Sequence, residues 1–307
     1  MLRWRLISAA VILAVLLTFV WLDYRQAWGA PSGAFLLPVL LVVLALATGE
    51  VLDLLAAKGH RPKAAIVYLG NVAIPLAAAL PVLFGLFGRK LPAAALPLGE
   101  FGWPLVALAV ATIAVLVGEM ARFERPGTSI VSAALGLFTL VYVGLLGSFL
   151  ALLRLFHDND WGLAALFSVL LIVKMADVGA FAVGKNLGRT KLTPLLSPGK
   201  TWEGAIGGIA TACLISWAFF HFAAPRIVTT GYVEPPLAAS LAYGLILALA
   251  GMIGDLAESL LKRDMQRKDS SSWLPGLGGV LDIIDAVLVA APVGWLCWVL
   301  GLVGPGP

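Results

Sequence analysis

The sequence predicts an all-α polytopic membrane protein of about nine transmembrane helices, N-terminus cytoplasmic and C-terminus outside. Three observations predict it. The mean hydropathy is +0.98, and only 12% of the 307 residues are charged, which excludes the ordinary soluble class. Apolar runs recur at about the 20-residue length that crosses a hydrocarbon core as helix, longer and less alternating than barrel strands. Fifteen of the 21 Lys and Arg residues fall on one side of those runs and five on the other, with Lys174 inside a run.

The first span is expected at 6–22, behind Arg3 and Arg5. It is long for a signal-peptide core, and Ala27-Trp28-Gly29 makes a poor cleavage site, so an uncleaved helix is expected. Spans two to five are expected at 33–55, 64–87, 101–122 and 128–156, rich in Leu, Val and Ala and joined by short connections. Pro75, Pro81 and Pro104 should kink their helices, which packed bundles tolerate. Glu50, Asp53 and Glu119 lie near span ends and are expected to reach the interface, with a supporting role in a polar pocket as the alternative. Spans six to nine are expected at 161–183, 203–223, 235–261 and 279–303.

The basic groups set the faces. Arg3, Arg5, Lys58, Arg61, Lys63, Arg122 and Arg125 share one side with the loops at 184–202 and 262–278. The positive-inside rule makes that side cytoplasmic. The net charge of +4 therefore needs no nucleic-acid partner; it reflects this bias and attraction to anionic lipid headgroups. Cys213 and Cys297 fall within spans without metal-ligand spacing, and His60, His157 and His221 make no zinc pattern.

The chain changes character near residue 160. The stretch 1–160 holds about five spans. The stretch 161–307 carries ionisable residues within its spans and is expected to hold the chemistry, the two forming a single integrated domain. Lys174 and Asp177 share one helix face, and charges within a span are costly enough to suggest a function. The loop that follows holds Lys185, Arg189, Lys191 and Lys200 among glycines and hydroxyls, a composition suited to phosphate. Ser197 and Thr201 could cap the next helix, whose N-terminus favours an anion. This is no P-loop, because Pro194 stands where that motif's first glycine should be. Asp255, Glu258 and Lys262 lie on one face at the end of span eight, and Asp282 and Asp285 on one face at the start of span nine. Paired carboxylates on two helix ends can converge on Mg²⁺ bridging substrate phosphates. Gly278 and Gly279, just before the second pair, would give a ligand room.

Together these residues resemble the phosphatidate cytidylyltransferase (CDP-diacylglycerol synthase) family. That family's C-terminal signature runs S-x-x-K-R-x4-K-D-x-[GSA]-x2-[LIF]-P-x-H-G-G-x-x-D-R-x-D. Ser259, Lys262, Arg263, Lys268, Asp269, Ser271, Leu274, Pro275, Gly278, Gly279, Asp282 and Asp285 fall in register with it. The stretches Asp177–Phe181 and Ser197–Gly204 are similar to the family too, so the likeness covers about 174–290. Three positions depart: Leu277 replaces the usual His, Ile283 the usual Arg, and Ala286 a common Ser. The resemblance implies CTP plus phosphatidate giving CDP-diacylglycerol and pyrophosphate, in a bacterial cytoplasmic (inner) membrane with the site facing the cytoplasm, and a homodimer.

On that reading Asp255 and Asp282 bind Mg²⁺, supported by Asp285 and Asp177, with a second cation left open. Lys200, Lys262, Arg263, Lys268 and Asp269 serve the transfer. Lys191, Ser197, Thr201, Glu203, Ser259, Gly278 and Gly279 bind substrate. Other readings stay open: another lipid phosphate as acceptor, an inactive relative, or a transporter lined by the same intramembrane charges. The motif of CDP-alcohol phosphotransferases is missing, and Asp282-Ile283-Ile284-Asp285 alone makes a weak prenyltransferase signal.

Overall fold

Lipid offers a peptide group no hydrogen-bond partner, so apolar runs must close their backbone bonds internally. The computed structural model of this chain is accordingly almost all helix. It describes residues 14–92, 98–124, 126–267, 270–271 and 278–305. Within them run α1 (Ala14–Tyr24), α2 (Leu36–Ala56), α3 (Ala64–Ala78), α4 (Leu80–Leu86), α5 (Gly99–Met120), α6 (Ser129–Thr139) and α7 (Leu146–Arg154). There follow α8 (Asn159–Leu187), the strands β1 (Lys191–Thr193) and β2 (Ser197–Thr201), α9 (Trp202–Ala218), α10 (Ala224–Ile227), α11 (Leu237–Asp264) and α12 (Leu281–Val299).

Among the described residues seven helical stretches are long and apolar enough to cross a membrane, or eight if α3 and α4 count as one broken span. The expected first span, 6–22, lies partly outside the described residues, and its described part falls in the short apolar α1. The expected span 64–87 is not continuous: α3 and α4 meet at a bend of 75°, with Pro75 inside α3 and Pro81 opening α4. Pro104 sits within a continuous α5. Single π-helical turns, Leu140–Leu145 and Phe219–Ala223, join α6 to α7 and α9 to α10. The loop at 184–202 is more ordered than expected, because β1 and β2 pair antiparallel in it, Lys191 opposite Thr201.

By contacts the chain forms two compact units, and the division differs from a cut at residue 160. One unit takes the chain to Leu155 together with residues 265–283; the other takes 156–264 and the chain from Ile284 onward. In the first, Val67 and Ile74 of α3 pack with Ala111 and Val115 of α5 and with Leu140. Several of its buried polar side chains pair with one another or with backbone. Arg154 Nε lies 2.6 Å from Asp23 Oδ2, and Asp23 also accepts the Gly33, Phe35 and Leu36 N–H groups leading into α2. Asn71 donates to Thr48 Oγ1 at 2.7 Å.

In the second unit α8, α9 and α11 pack through small residues, as helices do where lipid is as apolar as leucine. A Cβ on Gly208 would come within 3.0 Å of the Ala176 carbonyl, and one on Gly207 within 2.4 Å of Val183. A buried polar trio locks the other end, with Tyr243 Oη 2.8 Å from Ser168 Oγ and accepting Trp298 Nε1 at 3.0 Å. In the 228–236 connection, burial pushes the Tyr232 phenol up to about 12; its ring stacks on Trp161 and its hydroxyl donates to the Phe220 carbonyl.

Candidate active site

α8 runs to Leu187, carrying Lys174 and Asp177 on one face, their charged atoms 3.3 Å apart. The β1–β2 hairpin folds back from its end. Glu203, in the first turn of α9, accepts the backbone N–H groups of Arg189 and Thr190 at 3.1 Å each, so a carboxylate at the helix start closes the loop beneath the hairpin. Thr201 Oγ1 accepts the Gly204 N–H at 3.1 Å and caps α9, one of the two cap candidates read from sequence. Gly204 lets α9 approach α8 closely: a Cβ there would stand 2.9 Å from the Ala180 carbonyl and 3.1 Å from Gly184 Cα. Arg263 Nε, at the end of α11, donates to the Leu196 carbonyl at the hairpin tip.

These elements enclose a cavity of about 450 Å³, within the usual range for small-ligand sites. Asp177, Lys185, Ser197, Lys200, Thr201 and Asp255 supply its polar wall. Phe181, Leu192 and Met252 supply apolar surface. Lys200 Nζ lies 2.6 Å from Asp255 Oδ2. The two groups form an ion pair.

Asp255 also belongs to a second arrangement. Carboxylate oxygens of Asp255, Glu258 and Asp285 all lie within 4.8 Å of one another, the only such group of three among the described residues. Glu258 and Asp285 are buried. The reason they meet is a glycine. A Cβ on Gly254 would stand 2.5 Å from the Asp285 carbonyl oxygen and 2.9 Å from Ala286 Cα, so α11 touches the backbone of α12 just where Asp285 sits. Lys262 Nζ holds Glu258 Oε2 at 2.7 Å, and Lys174 and Asp177 lie within coulombic range of Asp285. Gathered like charges demand cations, and the lysines meet part of that demand. The all-oxygen donor set suits Mg²⁺, so the residues fit the metal that the resemblance implies.

The remaining predicted residues sit elsewhere. Lys191 is exposed on β1, and Ser259 is buried on α11. Asp282, Gly278 and Gly279 belong to the first unit. There Asp282 Oδ2 accepts the Gly279 N–H at 2.7 Å, the Ser270 hydroxyl at 2.7 Å and the Ser270 N–H at 3.3 Å. Gly278 has a left-handed φ of +81°, and a Cβ on it would meet Asp282 Oδ2 at 2.5 Å. Beside Gly279, the space is taken by Ser270 Oγ and Glu50 Oε2, at 2.1 and 2.3 Å from where a Cβ would be. Lys268, Asp269 and Leu277 lie outside the described residues.

Two further acids stand outside the metal set of Asp255, Asp282, Asp285 and Asp177 that the sequence suggests. Glu258 is paired with Asp255 by its spacing of three residues, although the resemblance assigns the metal to Asp255 and Asp282. Glu50 was expected at the interface and is instead 7% exposed, accepting the N–H groups of Val280 and Leu281 at 2.8 and 2.7 Å and the Ser270 hydroxyl at 3.1 Å. Glu119 is likewise buried, accepting the Ser132 hydroxyl. Asp53 is exposed.

The model of the cytidylyltransferase family matches residues 3–300. The chain belongs to that family. Among its relatives, the phosphatidate cytidylyltransferase of Haemophilus influenzae is 42% identical over 136 residues, 44% of this chain and 46% of that protein. Those of Brucella suis and Bacillus subtilis are 39% identical over 163 residues and 35% over 185. Those matches cover 53% and 60% of this chain, and 55% and 62% of the relatives. The chain thus spans about half the length of these curated relatives.

Proposed function

We propose that the protein transfers the cytidylyl group of CTP to phosphatidate, giving CDP-diacylglycerol and pyrophosphate. The observation that carries this reading is the Asp255, Glu258 and Asp285 group, with Asp255 shared by a cavity that also presents Lys200, Lys185 and hydroxyls. Asp255, Glu258 and Asp285 would hold Mg²⁺, with Asp177 supporting from α8. When bound, the metal supplies neutralisation of phosphate charge and stabilises the leaving pyrophosphate.

The protein's own groups supply alignment and charge. An oxygen of the phosphatidate phosphate, already anionic at neutral pH, forms the new bond to the α-phosphorus of CTP. The bond from that phosphorus to the β-bridging oxygen breaks, and pyrophosphate leaves with the electron pair. No general base and no covalent enzyme intermediate are required, so the gain comes from placing two polyanions together and cancelling their repulsion. Lys200 and Lys262, which pair with Asp255 and Glu258 in this structure, would turn toward substrate phosphate once a cation takes over the acids. Lys185, Ser197 and Thr201 line the same cavity and would hold the triphosphate. Arg263 keeps the hairpin tip in place through Leu196.

The same reading sets the protein in a bacterial cytoplasmic membrane. It has nine spans, with the N-terminus and the hairpin on the cytoplasmic side where CTP is found, and acts as a homodimer. Phe181 and Leu192 would let an acyl chain stay in the bilayer while its headgroup enters the cavity. The test is an acceptor panel: purified protein in mixed micelles, radiolabelled CTP and Mg²⁺, with phosphatidate, a polyprenyl phosphate or no lipid. Label should enter the organic phase with phosphatidate alone. Label transferred only to the polyprenyl phosphate would reassign the acceptor.

A further inference from the structure

The expected division of labour puts all the chemistry after residue 160, yet the start of α12 is held by an acid from α2. Glu50 lies 220 to 231 residues from its partners in sequence. Its Oε1 accepts the Val280 N–H; its Oε2 accepts the Leu281 N–H and the Ser270 hydroxyl. These are among the first N–H groups of α12, which have no partner within the helix, and negative charge there is favoured by the helix dipole. Asp282 takes the neighbouring donors, the Gly279 N–H and both donors of Ser270. Two carboxylates thus share Ser270 and fix where and at what rotation α12 begins. Gly279 is glycine because a Cβ would collide with Glu50 and Ser270. One turn after Leu281 the same helix presents Asp285 to Asp255 and Glu258.

We propose that Glu50 is a positioning residue for the metal carboxylate Asp285: by capping the first turn of α12 it keeps that turn helical and so holds the backbone from which Asp285 projects one turn further on. This rests on the metal-dependent reading given above. Both oxygens of Glu50 face backbone donors, so Gln is not a neutral replacement. Its amide NH₂ must point at an N–H, and the first turn has to shift to relieve the clash. Glu119, a second buried acid of the same unit, accepts from a side-chain hydroxyl, Ser132, and serves as the matched control.

The test is Mn²⁺ affinity of the full-length protein in detergent, read by electron paramagnetic resonance without CTP or lipid. Glu50→Gln should bind Mn²⁺ about tenfold more weakly, the lower end of the loss typical for groups that orient metal ligands. Ser270→Ala should weaken binding roughly threefold, and Glu119→Gln should leave it unchanged while lowering thermal stability. A weakening below threefold in folded Glu50→Gln would overturn the assignment, as would an equal loss in Glu119→Gln. If Glu50→Gln does not fold, Ser270→Ala decides by the same threefold criterion. Because Mn²⁺ binding needs no substrate, a wild-type protein that binds Mn²⁺ but makes no CDP-lipid would defeat the proposed reaction and leave Glu50 to be judged separately. A wild-type protein that binds no Mn²⁺ defeats both.

Discussion

Replacing Gly254 by alanine should disable the site without removing any polar group from it. The added Cβ would lie 2.5 Å from the Asp285 carbonyl oxygen, 2.9 Å from Ala286 Cα and 3.1 Å from the Asp285 carbonyl carbon. A relaxed carbon–oxygen contact begins at about 3.3 Å, so α11 and α12 must separate by roughly 0.8 Å. All three contacts are backbone, and no rotamer change can absorb them. Overpacking of this kind costs about 1–3 kcal/mol of stability. The shift falls on Asp285 itself, and a misplacement near 1 Å costs about 10²-fold in rate. Gly251, one turn earlier, is the control: its Cβ would meet Val173 Cγ1 at 3.1 Å and Ala286 Cβ at 3.7 Å, side-chain contacts that can yield. CTP turnover by the two variants in micelles, beside their melting curves, measures the difference. Gly254→Ala should lose about 10²-fold and Gly251→Ala no more than about threefold. Gly254→Ala within threefold of wild type would refute the view that backbone contact between α11 and α12 builds the metal site.

The remaining predictions concern single side chains. Asp285→Asn should abolish Mn²⁺ binding and turnover, whereas Asp282→Asn, which can keep a capping oxygen for Gly279 and Ser270, should lose less; equal losses would place Asp282 among the metal ligands. Lys200→Ala removes a charge-assisted contact worth about 1.5–3 kcal/mol, so kcat/KM for CTP should fall by about 10–100-fold, and an unchanged value would take Lys200 out of the site. Asp23→Ala removes the buried partner of Arg154 and should cost about 3–5 kcal/mol, seen as a lower melting temperature with near-normal Mn²⁺ affinity in the protein that remains folded. An unshifted melting temperature would show that the pair does not stabilise the first unit.

What could be read without coordinates follows the range of the forces involved. Hydropathy acts over 20-residue windows, so α2, α5, α8, α11 and α12 were legible close to their ends. Helical spacing acts over one turn, so Asp255 and Glu258 could be placed on one face from sequence. The 75° bend between α3 and α4 was not, since proline marks where a helix can break and neighbours decide whether it does. Pro104 had the same signal, and α5 continues through it. The β1–β2 hairpin was missed because its strands are only three and five residues long and carry no alternating pattern. The glycine pair 278–279 was read as room for a ligand; its neighbours turn out to be Asp282, Ser270 and Glu50. No local signal ties Glu50 to α12, because that contact exists only once the chain has folded.

Under the proposed function, this carboxylate and lysine site joins CTP to a lipid phosphate. The most direct measurement follows both products of one reaction: pyrophosphate released in solution, and CDP-diacylglycerol identified by mass in the lipid extract. The prediction is one CDP-diacylglycerol per pyrophosphate, strictly dependent on phosphatidate and Mg²⁺ and lost in Asp285→Asn. Folded, Mg²⁺-supplied wild-type protein that releases pyrophosphate without CDP-diacylglycerol, or forms neither product, would contradict it.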